Sequence, residues 1–569
     1  MNNNEIRNHT FNSDYEFREC WESGKRIFIG CNINNVNFAN VFDNRTTNDE
    51  ISFKNCRFNN TNFEGVTFNE KVVFECCNFK NTKFENVEFK KAELQEAEFL
   101  DTDFVKVKFD KANFSGSTFS GVNFERVEFG QANFNGAHIE FSNFFDLATF
   151  KSVDFRHATL TNIYFNNVMF ESAKFVGTTL KHVNFSADFG KENSRDGIDF
   201  ARTTFKDVTF NAHFKSGVKF DGAKFNGEIN FSNSEFKEEV SFIDAKFNGK
   251  INFTNATFLK KAYFSYAEFS GDVDFSGVKF NEANFNGSEF RKVYFTQATF
   301  NNAEFNGVKF NSVSFQNAVF ENAKFQESNF EDANFYNAII NSAKFNNSKF
   351  NYANFVEATL KTADFKLAKF GFADFYRTTF EETTFEGATF QNKAYFSDIA
   401  TKYADFSKAT FEDVAVFKKR SEKIHSSNNP FLIEERWIDF RQELEDEVIN
   451  SNPIMIFHAA TFKNPKNVTF IDFSLSNISF LLTNTSNILI IGETDEILSE
   501  KLLKANNSQN KTLNNYVEKA IEALSPHLRK ETVLAEYRNL RKSFENNRTY
   551  QEASNLFTRE MKLLEEYLN

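Results

Sequence analysis

Proline, tryptophan and methionine are scarce in this 569-residue chain, which contains 4, 2 and 4 of them. No stretch reaches the roughly 18 consecutive apolar residues that a membrane-spanning helix needs. The start of the chain also lacks the apolar segment of a signal peptide. These absences exclude a membrane-spanning helix, and the scarcity of Trp and Met argues against the mixed core of an irregular globular domain. The sequence predicts a soluble, cytoplasmic protein.

Phenylalanine, by contrast, occurs 81 times. From Phe275 to Phe390 every fifth residue is Phe, except for Ile340 and Leu360. The residue two positions before each is small, most often Ala. A period of five fits neither the 3.6-residue repeat of a helix nor the two-residue alternation of a strand. The pattern indicates a repeat protein.

The repeating unit reads Ala-Asn-Phe-Asn-Gly at 283–287 and Ala-Asp-Phe-Lys-Leu at 363–367. It resembles the unit of the pentapeptide-repeat proteins, in which Ala is followed by Asn or Asp, then Leu or Phe, then two variable residues. The resemblance covers residues 26–417 and 460–491. It implies an all-β solenoid, the right-handed quadrilateral parallel β-helix, with four pentapeptides in each coil.

With four units in a coil, each Phe stacks on the Phe twenty residues later, and the small residue two positions earlier also points inward. Glycine often stands two positions after the Phe, where a corner needs a permissive backbone. Proline is absent from the regular repeats because nearly every N–H is needed for hydrogen bonds between coils. We expect a rod-shaped stack with structural Phe ladders, one of which is Phe285, Phe305, Phe325, Phe345, Phe365 and Phe385.

All five cysteines lie in the first 77 residues. Cys31, Cys56 and Cys77 each occupy the small inward position that Ala fills elsewhere, which predicts buried thiols that act as small apolar side chains. Cys20 and Cys76 have no assigned role. The cysteine spacings match no zinc-binding pattern, and no metal site is predicted.

Interruptions of the period predict the domain organisation. The predicted segments are an N-terminal cap (1–25), the β-helix (26–417) with a polar loop (186–199) and alternating five- and six-residue spacing (225–275), a helical insertion (418–459), the final coils (460–493) and a C-terminal helical module (494–569). The alternating spacing predicts coils of about 22 residues, in which the extra residues act as bulges. The C-terminal hairpin resembles a tetratricopeptide-type helix pair. It is expected to cap the open stack, or alternatively to contact a partner or a second copy.

Catalytic, cofactor-binding and metal-binding residues are not predicted. The eight histidines are scattered, and those in the repeats lie outside the inward positions. No HExxH pair and no glycine-rich phosphate loop is present. Paired acids such as Glu331 and Asp332 are typical of a solvated face. We therefore do not expect an enzyme, and no cofactor is implied.

Outward apolar residues suggest a partner surface in the regular section. Three of them share one column of the stack and the others lie in two columns nearby, which would form an apolar patch on a surface of Lys, Glu and Asn. The alternative is that these residues are scattered exposed side chains with no role. The candidate residues are Val319, Tyr336, Ile339, Tyr352, Val356, Phe372 and Tyr376.

These observations favour a non-catalytic scaffold that binds protein partners through its outer faces and C-terminal helices, with a homodimer through those helices as a further possibility. Resemblance to the family implies an alternative, an acidic DNA mimic that binds DNA gyrase or topoisomerase IV. The net charge of −12 has the right sign, but acids and lysines alternate in the outward columns, whereas a mimic needs dense negative charge. Direct nucleic-acid binding is not expected. A sensor or regulatory subunit for a separate effector is the third hypothesis.

Overall fold

The computed structural model of the chain contains two compact units, Met1–Glu282 and Ala283–Asn569. The structure describes residues 4–89, 91–192, 194, 196–420, 454–494, 496–507 and 515–568. Within each unit the strands pair in parallel with the strands of the next coil, and the register advances by about one coil of 20 residues at each step. The predicted parallel β-solenoid with a C-terminal helical region is confirmed.

The first unit begins with two short strands and a helix, α1 (Asp14–Glu22), whose N-terminus is capped by the Ser13 side chain. Phe17 of α1 is fully buried, and its ring centroid lies 4.9 Å from that of Phe28 and 5.1 Å from that of Phe38. The helix therefore contributes an aromatic ring to the start of the Phe stack. The two strands pair with the first full coil: Glu5–Arg7 with Ile27–Ile29 and Thr10–Phe11 with Asn32–Asn34.

Further along the first unit, the strands between Ile51 and Lys151 are two to four residues long, with turns at the corners between them. Longer strands then run through the corners and pair side by side over three coils. These are Thr159–Glu171, Thr179–Phe189 and Thr204–Phe214.

The predicted loop at 186–199 is wrong at both of its ends. Residues up to Phe189 belong to the strand Thr179–Phe189, and the ring of Phe189 stacks on Phe170 at 5.1 Å and on Phe214 at 4.9 Å. Ile198–Asp199 is again a strand, paired with Val218–Lys219. The sequence hides this because Phe189 follows Phe185 after four residues instead of five, and a register shift in the neighbouring coil absorbs the difference.

The section with alternating spacing forms coils of 22 residues: Phe225 pairs with Phe247, and Phe247 with Phe269. The extra residue places Gly227, Gly249 and Gly271 above one another. A Cβ atom on Gly249 would lie 1.8 Å from the carbonyl oxygen of Gly227. Only glycine allows the backbones of successive coils to approach this closely.

The regular section of the second unit consists of six-residue strands separated by four-residue connections, in each of which the middle two residues form a turn. Its Phe ladder is buried, and successive rings from Phe285 to Phe385 stack with centroid distances of 4.7 to 5.0 Å. Fully burying a Phe side chain contributes about 1.5–3 kcal/mol. The strands are Glu289–Tyr294, Thr299–Glu304, Lys309–Ser314, Val319–Lys324, Asn329–Asn334, Ile339–Lys344, Lys349–Asn354, Thr359–Asp364, Lys369–Asp374 and Thr379–Thr384.

The solenoid continues on both sides of the predicted insertion 418–459. Ala415–Lys419 is a strand, and Ile454–Ile456 pairs with Tyr403–Asp405. The ring of Phe457 stacks on that of Phe406 at 4.9 Å, so the coil resumes before residue 460. Most of the predicted helical insertion, residues 421–453, lies outside the described residues. The later strands are Thr461–Phe462, Val468–Ile471, Ile478–Ser479 and Leu489–Ile491.

Four helices follow in the described part of the C-terminal region: α2 (Leu498–Asn507), α3 (Asn515–Leu524), α4 (Lys530–Asn546) and α5 (Tyr550–Leu568). Asn547 forms the C-terminal cap of α4. Among the described residues, no helix is long and apolar enough to cross a membrane.

Helix α4 closes the last coil with a buried carboxylate. Inside the stack, the N–H of Phe457 donates to the carbonyl of Ser479 one coil further on, at 2.8 Å. The corresponding N–H of Phe480 donates instead to Glu536 Oε1 at 2.5 Å, and the hydroxyl of Ser499 donates to Glu536 Oε2. Glu536 therefore takes the place of a further coil as hydrogen-bond acceptor. Burial raises the pKa of Glu536 to about 7, although these two hydrogen bonds oppose the rise.

A histidine pair joins the same region. The rings of His458, on the solenoid, and His527, between α3 and α4, stack with a centroid distance of 4.8 Å. Burial lowers the pKa of His458, and the nearby His527 and Lys408 lower it further. The pKa shifts of Glu536 and His458 therefore have opposite signs.

Candidate functional site

Two of the predicted surface residues form an aromatic ladder on the outside of the second unit. The rings of Tyr352 and Phe372 stack at 4.9 Å with 2° between their planes, and Tyr395 packs edge-on against Phe372 at 5.8 Å. Tyr352 is 42% exposed. Tyr395 pairs with Asp374 and so belongs to a different column, which is why the spacing of Tyr352 and Phe372 does not predict its contact with Phe372.

The predicted column Tyr336, Val356 and Tyr376 is also present. Backbone hydrogen bonds link its coils, since Asn337 N donates to the carbonyl of Val356 at 2.9 Å. Tyr376 is 37% exposed, whereas Tyr336 is half-buried and donates its hydroxyl to Glu357 Oε2 at 2.8 Å. Only the Tyr376 end of the column presents a large exposed aromatic surface.

Val319 and Ile339 do not belong to an exposed surface. They are 4% and 1% exposed, and they pair in a column with Thr359, which is equally buried. Thr379 continues this column, and Arg420 crosses it there, donating to the Arg377 and Asp398 carbonyls on either side. The position is outward by sequence phase, but the structure buries it at Val319, Ile339, Thr359 and Thr379.

A group of four exposed apolar side chains lies on two neighbouring coils of the first unit, and the repeat pattern does not reveal it. We call it the Phe141 patch: Phe141, Leu147, Tyr164 and Met169, which are 60%, 67%, 51% and 42% exposed. Asn143 pairs with Tyr164 and Thr149 with Met169, so the patch spans two neighbouring coils. The sequence does contain one indication of this surface: Phe141 stands two residues after the central residue of a repeat, where Gly or Asn is usual.

A cavity of about 290 Å³ adjoins the Phe141 patch. Leu147 and Met169 line it together with Val168 and Ala187, which are nearly buried. Asp188 contributes a polar edge, and its carboxylate pairs with Lys215 Nζ at 2.6 Å. The recess has a mixed lining, since six of its ten lining residues are polar, and its apolar side is formed by Leu147, Val168, Met169 and Ala187. A concave site of this kind can take a single side chain of a partner.

Charges on the outer faces are paired between coils. In both units, lysine Nζ atoms lie within 3.4 Å of a carboxylate oxygen of a glutamate one coil away. These pairs interrupt rows of negative charge on the surface. Exposed pairs of this kind contribute about 0–1 kcal/mol each, so they matter more for surface charge than for stability. Examples are Lys54–Glu75, Lys71–Glu93, Lys246–Glu268, Lys324–Glu304 and Lys366–Glu386.

The cysteines predicted to point inward are buried and stacked. Cys31, Cys56 and Cys77 are at most 1% exposed, and the last two donate to backbone carbonyls of the preceding coil. Hydrogen bonding to Cys56 and burial raise the pKa of Cys31 far above its ordinary value. Cys76 is exposed and Cys20 is half-buried. Within the described residues, no group of three or more His, Cys, Asp or Glu side chains could hold a metal ion.

Known proteins match this chain mainly through its repeats. The family model for a pentapeptide repeat region matches residues 50–129 and 318–395, and that for pentapeptide repeats in nine copies matches 210–257, 253–295 and 285–339. The model for pentapeptide repeats in eight copies matches 148–186. Together these matches cover more than half of the chain.

A relative in sequence is the uncharacterized protein MJ1147 of Methanocaldococcus jannaschii, which is 39% identical over 128 residues. The match covers 21% of this chain and spans only 28% of the length of that protein.

Two solved structures are similar at lower identity. HetL, a pentapeptide-repeat protein involved in heterocyst differentiation regulation in Nostoc sp. strain PCC 7120, is 14% identical, with a TM-score of 0.21 over 51% of this chain and 96% of HetL. Full-length QnrB1, a plasmid-mediated fluoroquinolone resistance protein, is 15% identical, with a TM-score of 0.16 over 39% of this chain and 92% of QnrB1. Neither likeness assigns a function to this chain. The family models and the repeat geometry agree, and the chain belongs to the pentapeptide-repeat family.

Proposed function

We propose that this protein is a non-catalytic scaffold that binds a protein partner through the outer faces of its solenoid, with the Phe141 patch as the main contact. The observation that carries the proposal is the exposure of four large apolar side chains on two adjacent coils. Exposed apolar clusters of this kind mark interaction sites more often than single exposed residues do.

The architecture supports this role. Hydrogen bonds between coils and the Phe stack hold the backbone beneath the patch, so a partner orders few main-chain residues on binding. The cavity between Leu147 and Met169 offers a recess for one anchor side chain, while Phe141 and Tyr164 widen the apolar contact. Aromatic residues beside a recess are typical binding hot spots. The aromatic ladder of the second unit, formed by Tyr352 and Phe372, is a smaller surface of the same type.

The DNA-mimic alternative has less support. Mimicry of B-DNA needs a dense row of unpaired negative charge, about one per 1.7 Å, whereas lysines neutralise glutamates along the outer columns. A sensor or regulatory role remains compatible with a scaffold, because either would act by binding a protein.

The test uses substitutions that suit the backbone. Phe141 and Leu147 both have positive φ angles, of 49° and 69°, so we would replace both by Asn, which tolerates that conformation. The double variant should unfold at the same temperature as the wild type. Its affinity for the partner protein should be at least about tenfold lower. Tyr266→Asn is the matched control, since Tyr266 is 66% exposed and has a φ of 58° but lies apart from the patch.

An unchanged interaction profile for Phe141→Asn/Leu147→Asn would refute the patch as the contact site. The second unit is tested separately by Phe372→Ser/Tyr376→Lys. A DNA supercoiling assay with gyrase tests the DNA-mimic hypothesis. A scaffold should leave supercoiling unaffected, whereas concentration-dependent inhibition would favour the DNA mimic.

A further inference from the structure

The last helix, α5, has two apolar stripes: one is buried against α4, and the other is largely exposed. Its inner face packs on α4 through Ala553, Leu556 and Leu563, all of which are buried. Glu560 completes this contact by accepting hydrogen bonds from Arg538 Nε at 2.8 Å and from an Arg541 guanidinium nitrogen at 2.9 Å. Arg541 also reaches the edge of the outer face, where its guanidinium carbon lies 5.1 Å from the ring centroid of Phe557. The inner face nevertheless supplies the buried apolar contact between α4 and α5.

The outer face carries Tyr550, Phe557 and Met561, which are 67%, 47% and 38% exposed, together with the exposed Ser554 and the half-buried Leu564. These positions are separated by four, three, four and three residues along the helix. That spacing is the a/d repeat of a helix that packs against another helix with knobs in holes. A helix that needed only to cap the stack would not present a second apolar stripe at this spacing.

We infer that two copies of this chain associate through the outer faces of their α5 helices, in an antiparallel arrangement. The charges at the two ends of α5 complement one another in that orientation. Arg548 is exposed just before the helix begins, and Glu565 and Glu566 are exposed near its end. An antiparallel pair brings each Arg548 toward the two glutamates of the other copy, whereas a parallel pair sets like charges side by side.

This dimer goes beyond the binding role proposed above and does not depend on it. If both hold, each dimer presents two copies of the Phe141 patch. A partner with two binding sites would then gain avidity, provided that the spacing of its sites allows simultaneous contact.

Sedimentation velocity of the purified full chain across a concentration series tests the inference. The wild type should convert from monomer to dimer as concentration rises. Phe557→Gln/Met561→Gln should weaken dimerisation at least about tenfold and leave the helical circular dichroism unchanged. Asn555→Gln/Lys562→Gln is the matched control, because both residues are exposed on α5 away from the stripe. It should sediment as the wild type does.

Charge reversal tests the orientation. Arg548→Glu alone should weaken the dimer, and Arg548→Glu combined with Glu565→Arg and Glu566→Arg should restore it. A wild type that stays monomeric at every concentration would overturn the inference. A dimer that survives Phe557→Gln/Met561→Gln would place the interface elsewhere, and failure of the triple variant to recover would refute the antiparallel arrangement. Because these measurements need no partner, they remain informative if the proposed function fails.

Discussion

Glu536 makes the attachment of the helical region to the solenoid weaker as pH rises. Its carboxyl group lies on the buried side of α4 and has a pKa of about 7, compared with the ordinary value of 4.5 for a glutamate. A shift of this size corresponds to about 3 kcal/mol between the two protonation states. Because the folded-state pKa lies above the unfolded one, the contribution of Glu536 to stability is complete below pH about 4.5 and is lost as pH rises through about 7.

Hydrogen exchange of α4 (Lys530–Asn546) measures this local stability directly. After correction for the intrinsic exchange rate, protection of its amides should fall roughly 30- to 100-fold between pH 5 and pH 8.5. Glu536→Gln keeps the acceptor for the Phe480 N–H and removes the ionisable group. It should flatten this fall and protect α4 more strongly than the wild type at pH 8.5.

Glu545→Gln is the matched control, because Glu545 lies exposed on the same helix. It should reproduce the pH dependence of the wild type. His458 should act in the other direction, because its lowered pKa means that its contribution to stability is lost as pH falls below its ordinary value near 6.5. If the wild type and Glu536→Gln lost protection equally between pH 5 and pH 8.5, the assignment of the effect to Glu536 would be wrong.

Three further predictions concern the solenoid itself. Phe345→Ala removes a ring stacked on both sides and should lower the free energy of unfolding by about 3–5 kcal/mol, measured by denaturant titration; a loss under 1 kcal/mol would contradict tight packing of the ladder. Gly249→Ala should lower the thermal midpoint, because the new Cβ meets the Gly227 carbonyl; an unchanged midpoint would mean that the coils can separate there. In the native protein, a maleimide should label Cys76 first and Cys20 more slowly, with the three buried thiols reacting only after unfolding; mass spectrometry of digested samples checks the order.

Most of the solenoid could be predicted from the sequence, because each coil is specified by residues at a short and constant spacing along the chain. A Phe every fifth residue with a small residue two positions before it places both side chains inside a coil, and the 22-residue coils follow from the alternating spacing. The predicted boundaries of the solenoid are wrong where the spacing of the Phe residues changes and the neighbouring residues give no sign of the change. Phe189 follows its predecessor after four residues, and Phe457 lies beside a break in the repeat, so both were assigned outside the stack.

The surfaces were harder to predict, because exposure depends on what else covers a face. Val319 and Ile339 are outward by phase and buried in the structure. The Phe141 patch combines residues from two coils whose phases differ, so no single column of the sequence contains it. Likewise, Glu536, which accepts the N–H of Phe480, has no feature in the sequence that separates it from other helical acids.

The sequence alone therefore determined the coil, its interior and the family, since each of these depends on contacts that repeat at a constant separation along the chain. Only the tertiary structure decided which outward residues are exposed, how α4 closes the last coil and which face of α5 is left open. Those features arise from contacts between segments with no common period, so they become visible only when the coils and helices are packed together.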